Sequence, residues 1–96
     1  MRPRRQRTRL VVTIGPATRE AAMIGHLAQA GADVFRVNFS HGTHADHRET
    51  IGRVREAERE LGRPLTVLAD LAGPKLRLGE IEGGGLDVAE GDEIRI

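Results

Sequence analysis

An α/β fold built on parallel strands is what this sequence predicts, and three observations carry that expectation. Short β-branched apolar runs alternate with stretches of helical apolar spacing, in the order β-α-β-α-β. Each connection between strands is long enough to hold a helix, as parallel pairing requires. After Gly73-Pro74 the texture changes to short alternating segments around a glycine-rich stretch.

The elements follow in order. Leu10-Val11-Val12-Thr13-Ile14 forms a first strand, stopped by Gly15-Pro16. Thr18 is placed to cap a helix in which Ile24, Leu27 and Ala28 share one face, ending at Gly31. Val34-Phe35-Arg36-Val37-Asn38 forms the second strand. A longer helix runs from about His44 to Leu61 with Ile51, Val54, Ala57 and Leu61 as its apolar stripe. Glu49 and Arg53 make a favourable i,i+4 pair on it, and Gly62 with Pro64 ends it. Leu65 to Asp70 forms the third strand. Beyond Gly73, the runs at 75–79, 86–88 and 93–96 predict antiparallel β-structure, with a hairpin turn at Gly83-Gly84-Gly85. The expected organisation is a basic arm over residues 1–9, a parallel unit over 10–72 and the start of a small β-module over 73–96.

Ninety-six residues allow one small domain or a piece of a larger one. Three strands and two helices cannot cover both faces of a sheet, so the sequence is expected to be the N-terminal part of something longer. No apolar run approaches the roughly 20 residues of a membrane span, which predicts no membrane association. The chain has no cysteine, which excludes disulfides, thiolate catalysis and cysteine-bound zinc. A cytoplasmic location is the expectation. Five of the fourteen arginines lie at positions 2, 4, 5, 7 and 9, and without them the body carries a charge of −4. An acidic body with only two aromatic residues argues against nucleic-acid binding, and the arm is expected to be a solvated terminus.

In parallel α/β folds, ligands meet the polar residues at strand C-terminal ends. Here those ends are Thr13 to Thr18, Arg36 to His44 and Asp70 to Arg77. Arg36 stands out because it lies inside an apolar strand, where a charge must be paired or face a polar cavity. Its planar fork suits phosphate or carboxylate. Asn38, Ser40 and Asp70 supply oxygens of the kind hard cations prefer, and Asn38 and Ser40 would equally serve as caps of the next helix. His41, His44 and His47 lack the acidic neighbour of a zinc-binding helix. His44 and His47 therefore read as a solvated helix start, and His41, in the loop, keeps a functional role.

Three stretches together resemble the pyruvate kinase family. These are Val12-Thr13-Ile14-Gly15-Pro16-Ala17-Thr18, the run from Phe35 to His44, and the run from Asp70 to Arg77. The resemblance covers Arg9 to about Ile96. It implies an incomplete (β/α)8 TIM barrel interrupted after its third strand by a small β-barrel lid. It also implies phosphoryl transfer from phosphoenolpyruvate to ADP, giving pyruvate and ATP, in a longer homotetrameric enzyme. By the same resemblance, Arg36 contacts the transferred phosphoryl group. Asn38, Ser40, His41 and Arg77 lie on the nucleotide side. Asn38, Ser40, Asp70 and the backbone carbonyl of Leu71 bind a monovalent cation. The catalytic lysine and the Mg²⁺ ligands fall on later strands, so no catalytic residue is expected in this segment. Lys75 stands where potassium-dependent members commonly carry Glu, so its ammonium is a candidate to replace K⁺. Ala72 stands where many members have Lys. The other reading of the same residues is a phosphate- or nucleotide-binding module without catalysis.

Overall fold

The computed structural model describes residues 7–95; Ile96 and the arginines at positions 2, 4 and 5 lie outside the described residues. Three parallel strands, β1 (Val11–Ile14), β2 (Val34–Asn38) and β3 (Thr66–Asp70), form one sheet in the order β1-β2-β3. Helices α1 (Ala21–Ala30) and α2 (His44–Leu61) make the two crossovers. The β-α-β-α-β order is as the alternation predicts. Leu10 and Leu65 fall just outside their strands because side chains claim their backbone N–H groups. The Leu10 amide donates to Asp33 Oδ2 at 3.0 Å and the Leu65 amide to Glu58 Oε2 at 2.7 Å.

The register sets Arg36 between Thr13 and Leu68, and Asn38 beside Asp70. Side chains alternate along a strand, so Val12, Ile14, Phe35, Val37 and Val67 share one face of the sheet. Both helices pack there, and Ile24, Ala28, Phe35, Val54, Ala57 and Leu65 form the core. Of the predicted α2 stripe, Val54 and Ala57 are buried, while Ile51 and Leu61 are half-buried. The opposite face carries Thr13, Arg36, Asn38, Leu68 and Asp70 and stays open, with Val11 and Leu68 exposed.

Capping differs from the sequence expectation at α1. Glu20, not Thr18, is its N-cap residue, with no side-chain capping bond. The Thr18 hydroxyl is already committed to the Gly15 turn, accepting from the Gly15 amide at 2.8 Å. Gly31 and Gly62 end the two helices in the left-handed conformation, as their positions predict. The Glu49–Arg53 pair forms at 2.7 Å.

Opposite the site, at the N-terminal ends of the strands, Asp33 is buried. It meets Arg9 at 3.4 Å and Arg63 at 3.6 Å, and Arg63 also donates to the Ala32 carbonyl at 2.9 Å. This cluster ties the approach to β1 to the end of α2.

Residues 71–95 depart most from expectation. No strand forms among the described residues after Asp70, and the predicted turn at Gly83-Gly84-Gly85 is instead a 3₁₀ turn over Glu82–Gly84. Leu71, Leu76, Leu78, Leu86, Val88 and Ile94 are exposed. An alternating pattern becomes a strand only when a neighbour takes its backbone groups, and among the described residues no other strand pairs with this stretch. The radius of gyration, 19.3 Å, exceeds the roughly 13 Å of a compact chain this long for the same reason.

Candidate functional site

The site is built at the C-terminal ends of the strands. Arg36 lies on the central strand and faces the open side, with its side chain 31% exposed. Asp70 on β3 takes both its Nε, at 3.0 Å, and its Nη2 on one oxygen, Oδ2. On the other flank, Arg36 Nη1 donates to Thr13 Oγ1 on β1 at 3.3 Å. A charge inside an apolar strand is tolerated here because both neighbouring strands supply a partner.

Beyond β2 the chain turns sharply. Asn38 Oδ1 accepts from the Ser40 amide at 3.0 Å, and the Phe39 amide donates to the Asp70 carbonyl at 2.9 Å. Neither Asn38 nor Ser40 caps α2. Thr43 does so in a reciprocal capping box: the Asp46 amide donates to Thr43 Oγ1 at 3.2 Å, and the Thr43 amide donates to Asp46 Oδ2 at 2.8 Å. The bond from the Thr43 backbone amide, followed by that from its hydroxyl, holds the Asp46 carboxyl below its ordinary range. Gly42 has φ +80°, and a Cβ there would lie 3.3 Å from the His47 ring, so this turn calls for glycine.

His47 corrects a sequence expectation. It is 7% exposed rather than solvated, and its ring stacks on Phe39 with centroids 4.3 Å apart. His44 and His41 are exposed. A cleft of about 460 Å³ opens between the loops after β1 and β2, lined by Thr13, Gly15, Asn38, His41, Asp46 and His47. A second recess of about 350 Å³ lies between α1 and α2, around Gly25, His26 and Arg53, away from these groups.

The structure therefore unites Arg36 with Asp70, Asn38 with Ser40, and Asn38 with His41 around one sheet end. It does not bring Arg77 or Lys75 there. Both lie on the exposed stretch after β3, and Lys75 has no ion-pair or hydrogen-bond partner among the described residues. Leu71 follows Asp70 directly and is exposed. The Asn38 and Asp70 oxygens, at paired positions on one face, fit a hard monovalent cation in kind. The charge of Asp70 is met by Arg36 rather than by Lys75. No cluster of carboxylates and histidines suited to Mg²⁺ occurs among the described residues.

Sequence reasoning had not singled out Thr13 as the partner of Arg36, the Thr43–Asp46 box or the His47 stack. The box has a visible signal in Thr43-x-x-Asp46. His47 has one too, since it lies four residues before Ile51 and seven before Val54, on the buried stripe.

This is an α/β protein that gathers a paired arginine, oxygen donors and a histidine at the C-terminal ends of parallel strands, the ligand-binding end of such folds. The chain belongs to the pyruvate kinase family: the family profile "Pyruvate kinase, barrel domain" matches residues 5–96. It is 47% identical to a pyruvate kinase of Mycobacterium tuberculosis over 95% of this chain and 19% of that protein. It is 45% identical to pyruvate kinase 2 of Synechocystis over 94% of this chain and 16% of that protein. A pyruvate kinase of Lactobacillus delbrueckii matches at 43% over 95% of the chain and 15% of its own length. The chain thus spans less than a fifth of these relatives. Among the described residues no helix is long and apolar enough to cross a membrane.

Proposed function

We propose that this chain is the first part of a pyruvate kinase and serves phosphoryl transfer from phosphoenolpyruvate to ADP. The observation that carries the reading is Arg36, held on the central strand by Thr13 and Asp70 within a family match spanning nearly the whole chain. On this reading β1 to β3 open a (β/α)8 barrel whose remaining strands cover the open face. Residues 73–96 begin an inserted lid, where their alternating segments find partners. The enzyme is cytoplasmic and homotetrameric, with no membrane or nucleic-acid partner.

The chemistry follows from the residues present. Arg36 has five N–H donors, of which three are engaged by Asp70 and Thr13. One N–H remains on each terminal nitrogen, a pattern suited to two oxygens of a phosphoryl group. A fixed guanidinium there neutralises charge as the phosphoryl group moves, the main task of the protein in this reaction class. His41 and Asn38, lining the cleft between the loops, serve the nucleotide with Ser40 and Arg77. Asn38, Ser40, Asp70 and the Leu71 carbonyl hold the monovalent cation, which when bound supplies fixed positive charge beside the phosphoryl group. The Mg²⁺ ligands and catalytic lysine belong to later strands.

The test is ATP formation from phosphoenolpyruvate and ADP by a full-length pyruvate kinase carrying this segment. Turnover supports the reading; binding without turnover leaves the non-catalytic module in its place. Titrating KCl at constant ionic strength then assigns the cation. Activity without K⁺, with Lys75→Glu creating a K⁺ requirement, identifies the Lys75 ammonium as the substitute. Strong activation of the unmutated protein by K⁺ identifies the ion.

A further inference from the structure

Arg36 owes its position to two strands at once. The Asp70 carboxylate fixes the Nε edge of the guanidinium, but both contacts go to the single oxygen Oδ2. Contacts sharing one acceptor leave the plane of the fork free to swing about that atom. Among the described residues the only other partner of the group is Thr13 Oγ1, 3.3 Å from Nη1 on the opposite flank. Thr13 is itself anchored. It pairs with Arg36 in the register, and its carbonyl accepts from the Thr18 hydroxyl at 3.3 Å, within the turn that Gly15 and Thr18 close.

We propose that Thr13 is a positioning residue for oxyanion recognition: its hydroxyl stops the rotation of Arg36 about Asp70 and aims the two free N–H groups at the phosphoryl oxygens. This rests on the function proposed above and adds to it a role in recognition for Thr13, which there only holds Arg36. Thr13 acts through Arg36 and needs no contact with substrate. Its side chain is exposed on the open face, so replacing it does not disturb the helix-covered core.

The test uses a full-length pyruvate kinase carrying this segment, with phosphoenolpyruvate binding measured by calorimetry without nucleotide, alongside steady-state kinetics and thermal unfolding. Thr13→Val keeps the branched shape and removes the hydroxyl. It should weaken phosphoenolpyruvate binding and raise its KM by about 3- to 10-fold, the scale of one ordinary net hydrogen bond. Thr13→Ser restores the hydroxyl and should stay within about 2-fold of the unmutated protein. In an Arg36→Lys background, Thr13→Val should cost less than about 2-fold, because the group it acts through is gone. An equal loss in both backgrounds, a loss shared by Thr13→Ser, or no loss in Thr13→Val would overturn the inference while leaving the function intact. An unmutated protein that does not bind phosphoenolpyruvate would overturn both.

Discussion

Val12, Phe35, Val37 and Val67 face the helices, whereas Thr13, Arg36, Asn38, Leu68 and Asp70 face away from them on the same three strands. Neighbouring residues thus belong to different problems. On the covered face, apolar side chains fill the space between sheet and helices, and what matters is shape and volume. On the open face, the polar groups hold one another in place, and what matters is which donor meets which acceptor. A one-residue step along β2, from Phe35 to Arg36, crosses from the centre of the core to the centre of the candidate site. Stability and recognition are therefore separable by mutation even though they share a backbone.

The largest effect is expected where the covered face is hollowed. Phe35 is fully buried, and Phe35→Ala should destabilise the fold by about 3–5 kcal/mol, read by denaturant unfolding. A loss below about 1 kcal/mol would mean that the core is not centred there. A smaller effect is expected at the loop joining the two faces. Thr43→Ala removes the cap of α2 and should cost about 1 kcal/mol. That difference depends on pH through Asp46. Its carboxyl is held below the usual 3.8, so its stabilising contact is complete above that value and fades as pH falls through the lower folded-state value. The gap between Thr43→Ala and the unmutated protein should narrow below about pH 4. A gap that stays constant across this acid range would show that Asp46 adds nothing to the cap.

Much of the covered face was legible in the sequence. The apolar runs at Val34–Asn38 and the stripe through Val54 and Ala57 mark strand and helix because burial imposes their periods. Arg36 was legible for the opposite reason, as a charge that breaks an apolar run. Its partners were not, because strand register decides which residues meet, and Thr13 and Asp70 lie 23 and 34 residues away. Thr18 looked like a helix cap because threonine favours that role; its hydroxyl serves the Gly15 turn instead. His47 looked solvated beside His44, yet the helical period turns it inward onto Phe39. The segment after Asp70 shows what pattern alone cannot do. Its alternation is clear, but strand formation needs a neighbour, and the residues described here supply none.

The central claim is that Arg36 carries recognition while the covered face carries stability. Its most direct test is Arg36→Lys in a full-length pyruvate kinase carrying this segment, with turnover and thermal unfolding measured on the same preparation. Lysine keeps the charge but loses the fork that spans Thr13 and Asp70. The expected result is a fall in kcat/KM for phosphoenolpyruvate of about 100-fold or more, with Tm shifted by no more than about 2 °C. Near-normal kcat/KM, or a lost Tm that accounts for the lost activity, would contradict it.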